Sequence, residues 1–300
     1  MEMNIAVLHP DSGWILSSIA LKTCEAMPDV FHAWTYAELV QKGEISVGAF
    51  FYVDIQNSFN DKLKEACPMG KHIGMFTHLD HDADVFFNDK WSKCDGVIHM
   101  CERYRERFEE NGWYRPEQMT VLHPGEVSHI PLSKIRLGIV QRGGYEGKGS
   151  EFLRSTLKSI DPEITNGIEL HICGNGWELD DRYCLEGVKT VLYPESAYEV
   201  MPQHYDYLFI PSLYEGGPMA LIEALAAGRQ VIAPRVGWVP EFITEDNELL
   251  YSPGNKVELR NVLASLIVDR LKRRAIVENM SYAQYATDVL EFIEQLEVKR

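Results

Sequence analysis

An α/β fold made of two parallel-sheet domains is what this sequence predicts, on three observations. Short apolar runs alternate with segments of helical period, the alternation occurs twice, and a stretch without period separates the two rounds. With 300 residues, 45% of them hydrophobic and 25% charged, the chain is long enough to bury a core in each of two ordinary domains.

In the first round the runs NIAVLH, VGAFFYVDI, HIGMFTH and GVIHM read as strands, and SSIALKTCEAM and CERYRERFEENG as helices. The break follows at VLHPGEVSHIPLSK, Val121 to Lys134, which is rich in Pro and His and has no period. In the second round RLGIVQR, IELHICG, YDYLFIPS and QVIAP read as strands, with SEFLRSTLKSI and PMALIEALAAG as helices. The segment from about Val257 to Met280 and the final SYAQYATDVLEFIEQLEVKR have no strand between them, so the last is expected to pack back on the first domain. The expected boundaries are 1–127, 128–280 and 281–300.

The formal charge of −16 argues against a surface devoted to nucleic-acid backbones or anionic lipid headgroups. The basic run of Arg270, Lys272, Arg273 and Arg274 reads as a solvated helix face. No run approaches the roughly 20 apolar residues that span a bilayer, and no signal peptide is expected at the N-terminus. Cys24, Cys67, Cys94, Cys101, Cys173 and Cys184 are scattered without metal-ligand spacing, which is read as reduced thiols in a cytoplasmic protein.

The chemistry gathers in PSLYEGGPMALIEALAAGRQVIAP, Pro211 to Pro234. A loop follows a buried strand, and a helix then opens at Pro218, placed at the first helical position, and ends at Gly228 in the left-handed conformation. Almost every residue of that helix is apolar or small, so packing on more than one side is expected, and Glu223 is the anomaly. A helix N-terminus outside the carboxyl end of a parallel strand suits a phosphorylated ligand. Glu215 and Glu223 would repel phosphate, so they are expected to face hydroxyls of a ligand carrying both sugar and phosphate. The cations such a ligand needs stand in RLGIVQRGGYEGKGSEFLRSTL, where Arg142 and Lys148 flank a glycine loop that does not satisfy the P-loop pattern.

These residues resemble the retaining glycosyltransferases of GT-B fold, family 4 (glycosyl transferases group 1). The two glutamates of the Pro-Ser to Ala-Gly segment, RGGYEGKGSEFL, LHICGNG and GWVPEFI follow that family's motifs in order across Arg136 to Ser252. The resemblance implies two Rossmann-like domains facing each other across a cleft. It further implies that Arg142 and Lys148 bind the donor diphosphate, and that Glu223 holds the ribose hydroxyls. Glu215, with the backbone of Gly216, Gly217, Pro218 and Met219, would engage sugar hydroxyls and the distal phosphate, while Gly174 and Gly176 let the chain pass near the nucleotide.

In the first half AVLHPDSGWILSSIAL is similar to the family's first strand and loop, with Gly13 where amides approach the donor phosphate. His78, in GMFTHLDHD, matches the histidine that contacts the transferred sugar.

The implied activity is retaining, metal-independent transfer of a hexose-type sugar from a UDP- or GDP-linked donor to a glycan or small-molecule acceptor. No other cofactor is expected, and DHDAD, Asp80 to Asp84, reads as loop rather than metal site. The first half is compact for the family, so either the acceptor is small or open, or a protein partner or oligomer completes the site. A nucleotide-sugar epimerase and a non-catalytic nucleotide-sugar-binding subunit are the alternatives.

Overall fold

The computed structural model describes residues 4–10, 15–42, 47–55, 59, 61–77, 89–177, 188–244 and 249–297. The chain forms two compact units, Met1–Ile130 together with Val277–Arg300, and Pro131–Ile276.

Unit 1 contains β1 (Ile5–Leu8), α1 (Ile15–Ala26), β2 (Phe31–Trp34), α2 (Tyr36–Lys42), β3 (Ala49–Tyr52), α3 (Asp61–Ala66), β4 (Lys71–Phe76), α4 (Asp89–Ser92), β5 (Gly96–His99), α5 (Glu102–Glu110) and β6 (Met119–Val121). Among the described residues its six strands pair in parallel in the order β2-β1-β3-β4-β5-β6. The central strands IAVL and AFFY are buried along their whole length, as strands covered on both faces must be.

Unit 2 contains β7 (Ile135–Val140), α6 (Ser150–Leu157), α7 (Pro162–Thr165), β8 (Ile168–Cys173), β9 (Lys189–Tyr193), β10 (Tyr207–Phe209), α8 (Met219–Ala226), β11 (Gln230–Pro234), α9 (Val239–Phe242), β12 (Leu250–Tyr251) and α10 (Lys256–Ala275). Its six strands are again parallel, in the order β12-β11-β10-β7-β8-β9. The chain steps outward from β7 through β8 to β9, then returns to the other side of β7 as β10. The β7/β10 boundary is therefore a topological switch point, where the connecting segments diverge and leave a crevice at the carboxyl ends of the strands.

Helix α11 (Tyr282–Gln295) belongs to unit 1, where Tyr285, Ala286, Val289, Phe292 and Ile293 join the core of β1, β3, β4 and β5. Ser281 caps its start by accepting from the Gln284 amide. At its other end the Lys71 ammonium donates to the Ile293 and Glu294 carbonyls at 2.5 and 3.0 Å, which satisfies groups the helix cannot pair itself.

Two expectations about α8 are corrected. Pro218 is the cap and Met219 the first helical residue. The helix is also one-sided, since Ala220, Leu221 and Ala224 are buried while Leu225, Ala226 and Ala227 are exposed. Alanine exposes little apolar area and is the best helix former, so an alanine-rich helix reads as buried when it is only strongly helical. The expected left-handed end does form at Gly228, at φ +68°.

Candidate functional site

A pocket of about 440 Å³ opens at the switch point of unit 2. Its walls come from the end of β7 (Val140, Gln141), the loop after it (Arg142, Tyr145, Lys148), the end of β10 (Leu208, Phe209, Ile210) and the start of α8 (Gly217, Pro218, Met219, Ala220), with Glu215 and Tyr198 closing it. The eight-residue α8 presents its first turn, where the amides lack helical acceptors, to this space.

The loop after β7 is held against the loop after β10 by backbone geometry. Gly149 sits at φ +72°, and any Cβ there would run into the Pro211 carbonyl oxygen, so the turn Glu146–Lys148 lies directly on the Pro211–Glu215 loop. The Leu213 and Tyr214 amides donate to the Gly147 carbonyl at 2.8 and 3.3 Å. On the other flank, the Gly143 amide donates to the Asn175 carbonyl at 2.8 Å, and a Cβ on Gly143 would meet the Gly176 carbonyl oxygen at 2.5 Å. Gly174 and Gly176 thus serve a close approach of two main chains.

The Lys148 ammonium donates to Glu215 Oε1 at 2.5 Å. The Glu215 side chain is 10% exposed and that of Lys148 32%, so this is a largely desolvated ion pair with its cation toward solvent. Ser212, fully buried, places its hydroxyl 2.8 Å from the same Glu215 oxygen and 2.9 Å from Gln141 Oε1. Gln141 Nε2 in turn donates to the Lys148 carbonyl at 2.8 Å. Arg142 is exposed at the rim and makes no ion pair among the described residues. A free cation, a paired cation and helix amides around one cavity can take up a polyanion; the carboxylate can accept from hydroxyls.

Of the residues singled out in the sequence, Arg142, Lys148, Glu215, Gly217, Pro218 and Met219 line one pocket, and Gly216 lies between two of them. Glu223 does not line it. Half-buried one turn inside α8, Glu223 lies close enough to Tyr198 to act on its phenol, and Tyr198 is the residue that lines the pocket. Burial first, and then Glu223, pushes the Tyr198 phenol up to about 12. GWVPEFI packs behind the glycine loop, with the Trp238 ring against Gly217 and its amide donating to the Gly216 carbonyl at 3.2 Å. Gly13, His78 and Asp80 to Asp84 lie outside the described residues. Sequence reasoning missed Gln141, Ser212, Tyr145 and Tyr198. For the first two the signal was a polar side chain at the carboxyl end of an apolar strand.

No group of three or more metal-ligating side chains that could hold an ion occurs among the described residues, and no helix there is long and apolar enough to cross a membrane.

Residues 134–269, which contain the whole pocket, match the sequence profile of the glycosyl transferases group 1. An MMP alpha-(1->4)-mannosyltransferase of Mycolicibacterium hassiacum is 38% identical over 72 residues, 23% of this chain and 18% of that protein. A sulfoquinovosyl transferase of Arabidopsis thaliana is 27% identical over 169 residues, 54% of this chain and 29% of that one. The chain therefore spans less than a third of the length of either relative. A crystal structure of Anabaena HepE in complex with UDP-glucose aligns over 98% of this chain and 100% of that one, at 15% identity and a TM-score of 0.39. Over the residues that form the pocket, then, this chain is similar to the glycosyl transferases group 1, and the profile and the two relatives support a glycosyltransferase.

Proposed function

We propose that the protein transfers a hexose-type sugar from a UDP- or GDP-linked donor to a hydroxyl of a glycan or small-molecule acceptor, with retention at the anomeric carbon and without a metal ion. The observation that carries this reading is the meeting of Arg142, Lys148, the α8 N-terminus and Glu215 in one pocket at the switch point of unit 2. The cations and amides fit a diphosphate, and the carboxylate fits sugar hydroxyls beside it. The named sugar transfer of the two relatives supports the same class.

In the proposed step the bond from the anomeric carbon to the distal phosphate oxygen breaks and a bond to the acceptor oxygen forms on the same face. The acceptor proton passes to the departing phosphate oxygen. Lys148 and Arg142 stabilise the charge that develops on the diphosphate, which is the largest single contribution such a site can make. Cationic side chains in that position supply what a metal ion supplies elsewhere. We further propose that the reaction runs in the cytoplasm, that His78 contacts the transferred sugar, and that the acceptor is small or open or is recognised with the help of a protein partner.

Thermal unfolding with UDP, GDP, ADP, dTDP and their sugars tests the donor assignment. A ligand at about a hundredfold over its dissociation constant stabilises by about 2.7 kcal/mol, enough to raise the midpoint by several degrees. Selective stabilisation by one nucleotide family names the donor; no shift with any of them refutes the reading. The anomer formed, read by NMR, tests retention, and activity lost in EDTA and restored by manganese refutes metal independence.

A further inference from the structure

The side chain of Gln141 joins the two loops that carry the Lys148–Glu215 pair, one through its amide nitrogen and the other through its amide oxygen. From the last position before Arg142, Nε2 reaches the Lys148 carbonyl at 2.8 Å and Oε1 meets the Ser212 hydroxyl at 2.9 Å, while that hydroxyl also lies 2.8 Å from Glu215. Its main chain is anchored independently. The amide donates to the Cys173 carbonyl at 3.1 Å, and the carbonyl accepts from Trp177 Nε1 at 2.8 Å, so the residue is fixed to the end of β8. A side chain held that firmly can set the position of what it touches.

We infer that Gln141 and Ser212 are the positioning residues of the site: they hold the Lys148 ammonium and the Glu215 carboxylate at the spacing that receives a diphosphate and its neighbouring hydroxyls. Ser212 has one proton and two acceptors. With Lys148 on Glu215, that proton serves Gln141; with Lys148 drawn to a ligand anion, it turns to Glu215, so the buried carboxylate is never left without a donor. The ligand half of this inference rests on the proposed function; the geometric half does not.

The experiment has two arms on Gln141→Met, which keeps the size and removes both hydrogen bonds, with Ser212→Ala as a milder second variant. The first arm needs no nucleotide. Lys148 is acylated with an N-hydroxysuccinimide ester and followed by peptide mass spectrometry against the exposed Lys158. Labelling of Lys148 rises several-fold in both variants while that of Lys158 stays level. The second arm titrates UDP, GDP, ADP and dTDP, and affinity for the nucleotide that binds falls roughly tenfold in Gln141→Met, the loss expected of one or two hydrogen bonds. The same substitution in a Lys148→Ala background changes affinity by less than about twofold, because its effect travels through Lys148. Unchanged Lys148 labelling, or an equal loss of affinity with and without Lys148, overturns the inference. Failure of every nucleotide to bind the wild type sinks the donor assignment instead, and the labelling arm still decides the positioning role.

Discussion

Replacing Lys148 with alanine separates what the ion pair does for folding from what it does for a ligand. Glu215 is 10% exposed and Lys148 32%, with 2.5 Å between their atoms. Removing one partner of a fully buried pair costs about 3–5 kcal/mol, because the other charge is stranded. Here the vacated side of Lys148 faces solvent, and water can replace the ammonium while Ser212 still reaches Glu215 at 2.8 Å. The loss in stability is accordingly about 1–2 kcal/mol, or roughly 2–8 °C in melting temperature for a unit of this size. Loss of a preorganised donor at the departing diphosphate costs turnover about 10²- to 10³-fold. The assay is release of nucleoside diphosphate from the stabilising sugar donor, with circular dichroism melts in the same buffer. The double variant Lys148→Ala, Glu215→Gln regains most of the lost stability, since no charge is stranded, and none of the turnover. Turnover within about threefold of wild type in Lys148→Ala, or recovered in the double variant, refutes the assignment.

Gly149→Ala combines a left-handed φ with a collision against the Pro211 carbonyl, so it loses more than about 2 kcal/mol and lowers nucleotide affinity as the loop lifts; an unchanged melting temperature contradicts the packing. His72 and His99 are fully buried, and burial, followed for His72 by Lys64 and for His99 by Arg105, pushes them down to about 4 and about 3 from an ordinary 6.5. The stability linked to their neutral forms is whole above pH 6.5 and is lost as pH falls toward those values, at up to about 1.4 kcal/mol per pH unit for each histidine. Urea unfolding between pH 6.5 and 4 should therefore show a shallower slope in His99→Leu than in wild type, and equal slopes refute the linkage. Lys71→Met uncaps α11, which costs about 0.5–1.5 kcal/mol and should speed hydrogen exchange near residues 293–296 while α1 stays protected.

The strands that were legible in the sequence and those that were not divide by position in the sheet. IAVL, AFFY, KHIGMF and GVIH in unit 1, and IRLGIV, IELHIC, YLF and QVIAP in unit 2, lie inside their sheets and read as near-continuous apolar runs. The four missed strands, β2, β6, β9 and β12, are the four edges. FHAW and MTV bury only their first residue, KTVLY buries none, and LY is two residues long. An edge strand is covered on fewer sides and needs neither length nor apolar continuity, so its sequence has little to show. The site was legible where chemistry forces residue type, as in the glycines and charges of Arg142 to Gly149 and Glu215 to Gly217. Gln141 and Ser212 escaped because their importance lies in the β7/β10 adjacency, which only the strand order reveals. Glu223 was read as a buried anomaly, and the structure places it half-buried against Tyr198.

The division of the chain also bears on the order in which it becomes structured as it is made. Unit 2 is one uninterrupted stretch, Pro131–Ile276, whereas unit 1 is written in two pieces with Val277–Arg300 last. A ribosome that has released residue 276 has supplied everything unit 2 needs, while unit 1 still lacks the helix that carries Val289, Phe292 and Ile293 into its core. Synthesis halted at that point yields a finished unit 2 tethered to an unsealed partner, its apolar sheet face open to chaperones and proteases until residues 277–300 emerge.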